Sequence, residues 1–243
     1  MELLENFKQT NLAGGVVSSL IVIVIMIILA IIIGIKSHFQ DPLKRPKGIL
    51  LLAEYGVNFF DGMAEGLLGK RFRSFGGYLM VIGVYMFLAF IFGLTGLPSP
   101  ITYMAIPLSL GLSTFMLIHG TAIRYNKFKY FKRYIEPVPL FLPINLISMW
   151  APLLSLTLRI FGNALSGFVI MSIVYAGLEV LSASIFASLE AYIGAWNTVF
   201  IAPLLTWILH LYFDLWSGFI QTTVFLSLTS IYVGQEIPEE LME

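Results

Sequence analysis

The chain has 243 residues, 58% of them hydrophobic and 12% charged, with a mean hydropathy of +0.89 and a formal net charge of zero. A soluble domain carries about 45–50% apolar and about 25% charged residues, so this composition excludes a soluble globular enzyme, a disordered chain and a nucleic-acid binder, and points to a bilayer. Without a Cys, disulfides, thiolate nucleophiles and Cys-bound metals are excluded, and the three His lie too far apart in sequence to suggest a metal centre.

Residues 16–35 form an uncharged apolar run long enough to cross ~30 Å of hydrocarbon. The basic residues Lys36, Lys44, Arg45 and Lys47 follow this run instead of preceding it. That order favours an uncleaved span with its N-terminus outside over a signal peptide. Residues 49–69 carry Glu54, Asn58, Asp61 and Glu65 at helical spacing with apolar residues between them, the pattern of a helix lying in the membrane interface. The stretch GLLGKR that closes this helix is no phosphate loop, since Ala64 stands where a first Gly is needed and Arg71 replaces the Ser/Thr.

Two further spans are expected at 75–96 and 101–121, joined by the turn GLPSP. The loop at 122–140 holds Arg124, Lys127, Lys129, Lys132 and Arg133. A basic block between apolar spans marks the cytoplasmic side, so the C-terminus falls inside as well. Apolar sequence then runs over 141–178 and 191–232. At ~1.5 Å per residue each run exceeds one perpendicular crossing, so the two are expected to form a long tilted hairpin. Pro152 and Pro203 permit bends without forcing breaks. The expected fold is therefore an all-α integral membrane protein, a single domain of about five transmembrane helices plus the interfacial one.

An ionisable side chain in the bilayer costs at least roughly 2.5–3.5 kcal/mol, so those inside the hairpin need a reason. Glu179 and Glu190 flank its turn and read as loop residues in outer-side water. Thirteen of the 14 basic residues precede residue 134; the fourteenth, Arg159, stands in the first arm with no acidic residue before Glu179. Ser155, Asn163 and Ser166 share its helical face. Arg159 is then either a structural cation, satisfied by carbonyls or by Asp214, or a fixed charge for a carboxylate brought by another protein. In the second arm His210, Asp214, Ser217, Gly218 and Gln221 would share one face of a regular helix, which suits a wet proton path or a self-satisfied His–Asp pair.

The segment SLTLRIFGNALSG at 155–167 closely resembles the Arg-bearing helix of subunit a of bacterial F-type ATP synthases, through the Leu-Arg-(apolar)-(apolar)-Gly-Asn core from Leu158 to Asn163. The segment DLWSGFIQTTVFLSLTSIY at 214–232 is similar to that family's last helix, where a titratable residue precedes a Gln by seven positions, here Asp214 and Gln221. The resemblance covers nearly the whole chain. It implies an ion-translocating stator subunit of the Fo sector, with two half-channels against a ring of c subunits, and with peripheral-stalk b subunits and the F1 sector as further partners. In such a subunit Arg159 would attract each ring carboxylate as it loses its ion, and Gln221 on the neighbouring arm would hold the guanidinium. Asn163 and Ser155 would line the interface, and Asp214 with His210 the outer half-channel. Many bacterial members carry Glu nine residues after the Arg, where this chain has Phe168. The implied protein is a multi-pass component of a bacterial cell membrane that moves H⁺ or Na⁺. It is not itself catalytic, and no cofactor or nucleotide site is expected. The competing class is a self-contained secondary transporter with a site around Arg159 and Asp214, which would require broken helices or internal repeats.

Overall fold

The computed structural model describes residues 12–41, 43–127, 130, 132, 140, 142–185 and 202–241. Among the described residues every regular element is helical. That outcome follows from the solvent: in hydrocarbon a backbone must satisfy its own polar groups, and a helix does so within one segment. Four helices are long and apolar enough to cross a membrane by length and composition, and the final arm is a fifth, interrupted, helical rod.

Helix α1 (Leu12–His38) leaves most of its Val and Ile side chains exposed and touches the rest of the molecule near its start. There Ser19 Oγ lies 2.7 Å from the Tyr85 hydroxyl, a polar link between two apolar helices. Helix α2 (Ile49–Leu68) is the expected amphipathic element. It stops at Gly69, whose φ of 92° only glycine adopts without strain. A 3-10 turn, Lys70–Phe75, then reverses the chain, and Arg73 Nε reaches back to Asp61 Oδ2 at 3.3 Å. The reversal is tight enough that a Cβ on Gly76 would sit 2.7 Å from the Asp61 backbone.

Helix α3 (Gly76–Ile91) continues as 3-10 to Thr95. The GLPSP turn that follows is pinned by Ser99 Oγ, which donates to the Ala89 carbonyl at 2.7 Å. Helix α4 (Ala105–Asn126) ends at Lys127, which has a φ of 46°. It therefore extends into what the sequence assigns to the basic loop. Leu79, Met86, Ile101, Leu156, Ile160, Phe225 and Leu226 form the main core, so α3, α4 and the two C-terminal arms pack together. Between α4 and the last arm, Thr114 and Thr229 share a buried hydroxyl contact of 3.3 Å. Lipid tails are as apolar as Leu, so this bundle is held by close packing and buried polar links more than by exclusion from water.

Helix α5 (Leu142–Ile185) has 44 residues, ~66 Å at 1.5 Å per residue, and passes Pro152 without a break. Its buried residues Leu153, Leu156, Thr157, Ile160, Gly167 and Met171 lie along its first two thirds, and its final third is nearly bare. The last arm is continuous from 202 to 234, as α6 (Ala202–His210), a π-helical segment (Leu211–Trp216) and α7 (Ser217–Gly234). The turn between the arms, with Glu190, lies outside the described residues. Glu179 does not lie in that turn: it sits inside α5, because the helix runs seven residues past the expected end at 178.

Candidate functional site

A cavity of about 960 Å³ opens between the end of α3, the GLPSP turn, α5 and the last arm. Along α5 it is lined in turn by Glu179, Tyr175, Ser172, Phe168 and Asn163. These positions recur every three to five residues, the repeat of one helical face. The face extends from Glu179 to Asn163, ~24 Å along the helix axis. Asn163, at its inner end, is one helical turn from Arg159.

His210 and Asp214 face this cavity from the last arm. His210 Nδ1 is 2.6 Å from Asp214 Oδ2, and His210 Nε2 is 2.7 Å from the Tyr175 hydroxyl. The buried Thr206 hydroxyl lies 3.1 Å from that of Tyr175 and 2.8 Å from the Ala202 carbonyl. A continuous polar chain, Thr206–Tyr175–His210–Asp214, thus ties α6 and the π segment to α5. The Asp214 carboxylate rests against Gly93, where a Cβ would stand 3.4 Å from Oδ1. Any larger side chain at Gly93 would crowd the acid.

The π segment sets this geometry. A π turn closes i→i+5 hydrogen bonds, as from the Ser217 N–H to the Tyr212 carbonyl, and it holds an extra residue. The i, i+4 pair of His210 and Asp214 survives within it. Ser217, Gly218 and Gln221, which a regular helix would keep on the His210 face, are turned away from it. Gly218 instead meets α3, where a Cβ would lie 2.7 Å from that of Phe90. Gln221 is partly buried, and its Oε1 is fully buried without a hydrogen-bond partner among the described residues.

Arg159 lies on the exposed side of α5, with Leu158 and Asn163 also exposed. Among the described residues no carboxylate lies within ion-pair distance of it, and its guanidinium is not hydrogen-bonded to Gln221. The reading of Arg159 as a structural partner of Asp214 is therefore set aside: Asp214 is engaged by His210. Ser155, one turn before Arg159, is partly buried. The structure brings His210, Asp214 and Asn163 to one cavity, together with Phe168, and leaves Arg159 on a lateral face. Tyr175, Thr206 and Glu179 were not singled out for this site from sequence. The signal was present: Tyr175 and Glu179 continue, about three and four turns out, the stripe that starts at Asn163.

The sequence profile described as "ATP synthase A chain" matches residues 16–234. Among similar proteins, the ATP synthase subunit a of Mycoplasma genitalium is 31% identical over 87% of this chain and 75% of its own length. That of Bacillus subtilis is 30% identical over 96% of this chain and 94% of its own. A sodium-ion-specific ATP synthase subunit a from Propionigenium modestum is 34% identical over 52% of this chain and 36% of its own length. Such coverage leaves no room for the self-contained transporter. The chain belongs to the ATP synthase A chain family, and is a multi-pass membrane subunit with the non-catalytic, ion-translocating stator role of the Fo sector.

Proposed function

We propose that the cavity between α3, α5 and the last arm is the outer half-channel, and that the exposed face of α5 around Arg159 is the surface against which a ring of c subunits turns. The observation that carries this reading is the inner end of the cavity: Asn163 lines it and stands one turn from an Arg that has no partner within the described chain. An ion entering past Glu179 reaches Asp214 and then a ring carboxylate, which becomes neutral and can enter lipid without the several kcal/mol cost of a buried charge. Arg159 repels a passing cation and favours the deprotonated carboxylate, which keeps the two half-channels apart. Gln221 supplies a buried amide oxygen able to accept a guanidinium N–H when the ring presses Arg159 inward. Ser155 and Asn163 line the same contact.

In this reading α2 lies in the interface, α1, α3, α4, α5 and the last arm cross the bilayer, and the basic residues at 44–47 and 124–133 face the cytoplasm. The N-terminus is outside and the C-terminus inside a bacterial plasma membrane. Peripheral-stalk b subunits hold the chain still, and the F1 sector carries the nucleotide chemistry.

The test is ATP-driven ion pumping into vesicles by the assembled complex. Arg159→Ala should abolish pumping and ion-driven synthesis while nucleotide hydrolysis persists. Pumping retained in that variant would overturn the reading.

A further inference from the structure

We infer that Tyr175 is a proton-relay residue, which passes protons from the cavity to His210 and through it to Asp214. The inference rests on the reading of the cavity as the entry half-channel and names a residue of that path.

The four groups of the chain have a forced order of donors. When Asp214 is ionised it only accepts, so His210 donates from Nδ1 at 2.6 Å. The neutral ring then has a bare Nε2, which accepts the Tyr175 O–H at 2.7 Å. The Tyr175 oxygen is left as an acceptor, and Thr206, 3.1 Å away, can supply its single hydrogen there or to the Ala202 carbonyl. The Tyr175 and His210 hydrogens both point toward Asp214. Such a row conducts a proton inward without any heavy atom changing place.

The step balances. A hydronium ion in the cavity gives a proton to the Tyr175 oxygen and is left as water, as the phenolic O–H bond breaks and that hydrogen passes to His210 Nε2. The Nδ1–H bond breaks as its proton bonds to Asp214 Oδ2. One proton has entered at Tyr175, one has appeared on Asp214, and no electron pair has left its atom. The Nε2–H tautomer that remains returns to the Nδ1–H form by exchange with water in the cavity that the ring faces, once Asp214 has passed its proton on.

The experiment uses the complete complex in vesicles, with ATP-driven acidification as the readout. Tyr175→Phe, which removes one oxygen and keeps the ring, should slow acidification by about a hundredfold, the lower end of the range that proton-transfer groups contribute. His210→Ala should slow it further, and imidazole added to the buffer should restore it several-fold, a rescue that a packing role would not give. Unchanged acidification in Tyr175→Phe, or loss without imidazole rescue in assembled His210→Ala complex, would each overturn the relay. The Arg159→Ala control separates the two levels: pumping that survives there sinks the half-channel reading itself, whereas pumping lost there and intact in Tyr175→Phe and His210→Ala sinks only the relay.

Discussion

Asp214 and Arg159 both lie in the apolar hairpin, and the fold treats them in opposite ways. Asp214 is enclosed: His210 holds it, Tyr175 and Thr206 extend the hydrogen bonding, and Gly93 leaves it space. Arg159 is presented on the open side of α5. A charge that must stay in hydrocarbon needs partners. Asp214 finds its partners within the chain, and among the described residues Arg159 has no carboxylate within ion-pair distance. In the proposed reading, an internal network serves passage along the protein and an open charge serves contact with a moving neighbour.

The largest expected effects break the open side of this contrast. Beyond the loss predicted for Arg159→Ala, Arg159→Lys should also fail to sustain normal pumping, because a compact ammonium replaces the planar fork of donors that a carboxylate and the Gln221 oxygen can share. Acidification assays on vesicles report it, and a rate equal to wild type would mean that charge alone suffices. Next comes the enclosed side: Asp214→Asn should lower the pumping rate by at least about a hundredfold by removing a proton acceptor, and an unchanged rate would remove Asp214 from the path. Gly218→Ala probes the scaffold that holds the enclosed site in place. Its Cβ meets that of Phe90 at 2.7 Å, and overpacking of this kind costs about 1–3 kcal/mol in SDS-unfolding measurements. The smallest effect belongs to Thr114→Val, which deletes the hydroxyl pair with Thr229 and should cost only about 0.6 kcal/mol by the same measurement, with pumping retained.

Much of this arrangement is legible in the residue order. Apolar runs, basic loops and the polar stripe of α2 fix the helices because a bilayer allows little else. Arg159 is conspicuous by its isolation, and the His210–Asp214 pair follows from i, i+4 spacing alone. The reach of α5 was harder to read, since LEVLSAS looks like a break when hydropathy is the guide. Ending the arm at 178 cut Glu179 from the stripe that Tyr175, Phe168 and Asn163 mark out. The Tyr175–His210 contact joins positions 35 residues apart and depends on how two arms pack, which no local spacing encodes. The π segment was equally hidden: LYFDLW has nothing that distinguishes it from an α-helical stretch, and its register follows from Gly218 seating on Phe90 while Asp214 seats on Gly93.

That segment can also be described as a one-residue surplus in an otherwise regular rod. Deleting a single codon within 211–216 would let the backbone relax to an ordinary α-helix, with every carbonyl still paired. The two ends of the arm would then be rotated by about 100° relative to each other. Either Gly218 would leave Phe90 or Asp214 would leave the cavity. Helix content and insertion would survive such a deletion, and the alignment between scaffold and ion path would not. The extra residue acts as a phase setting, which lets one continuous helix dock on the bundle with one half and face the cavity with the other.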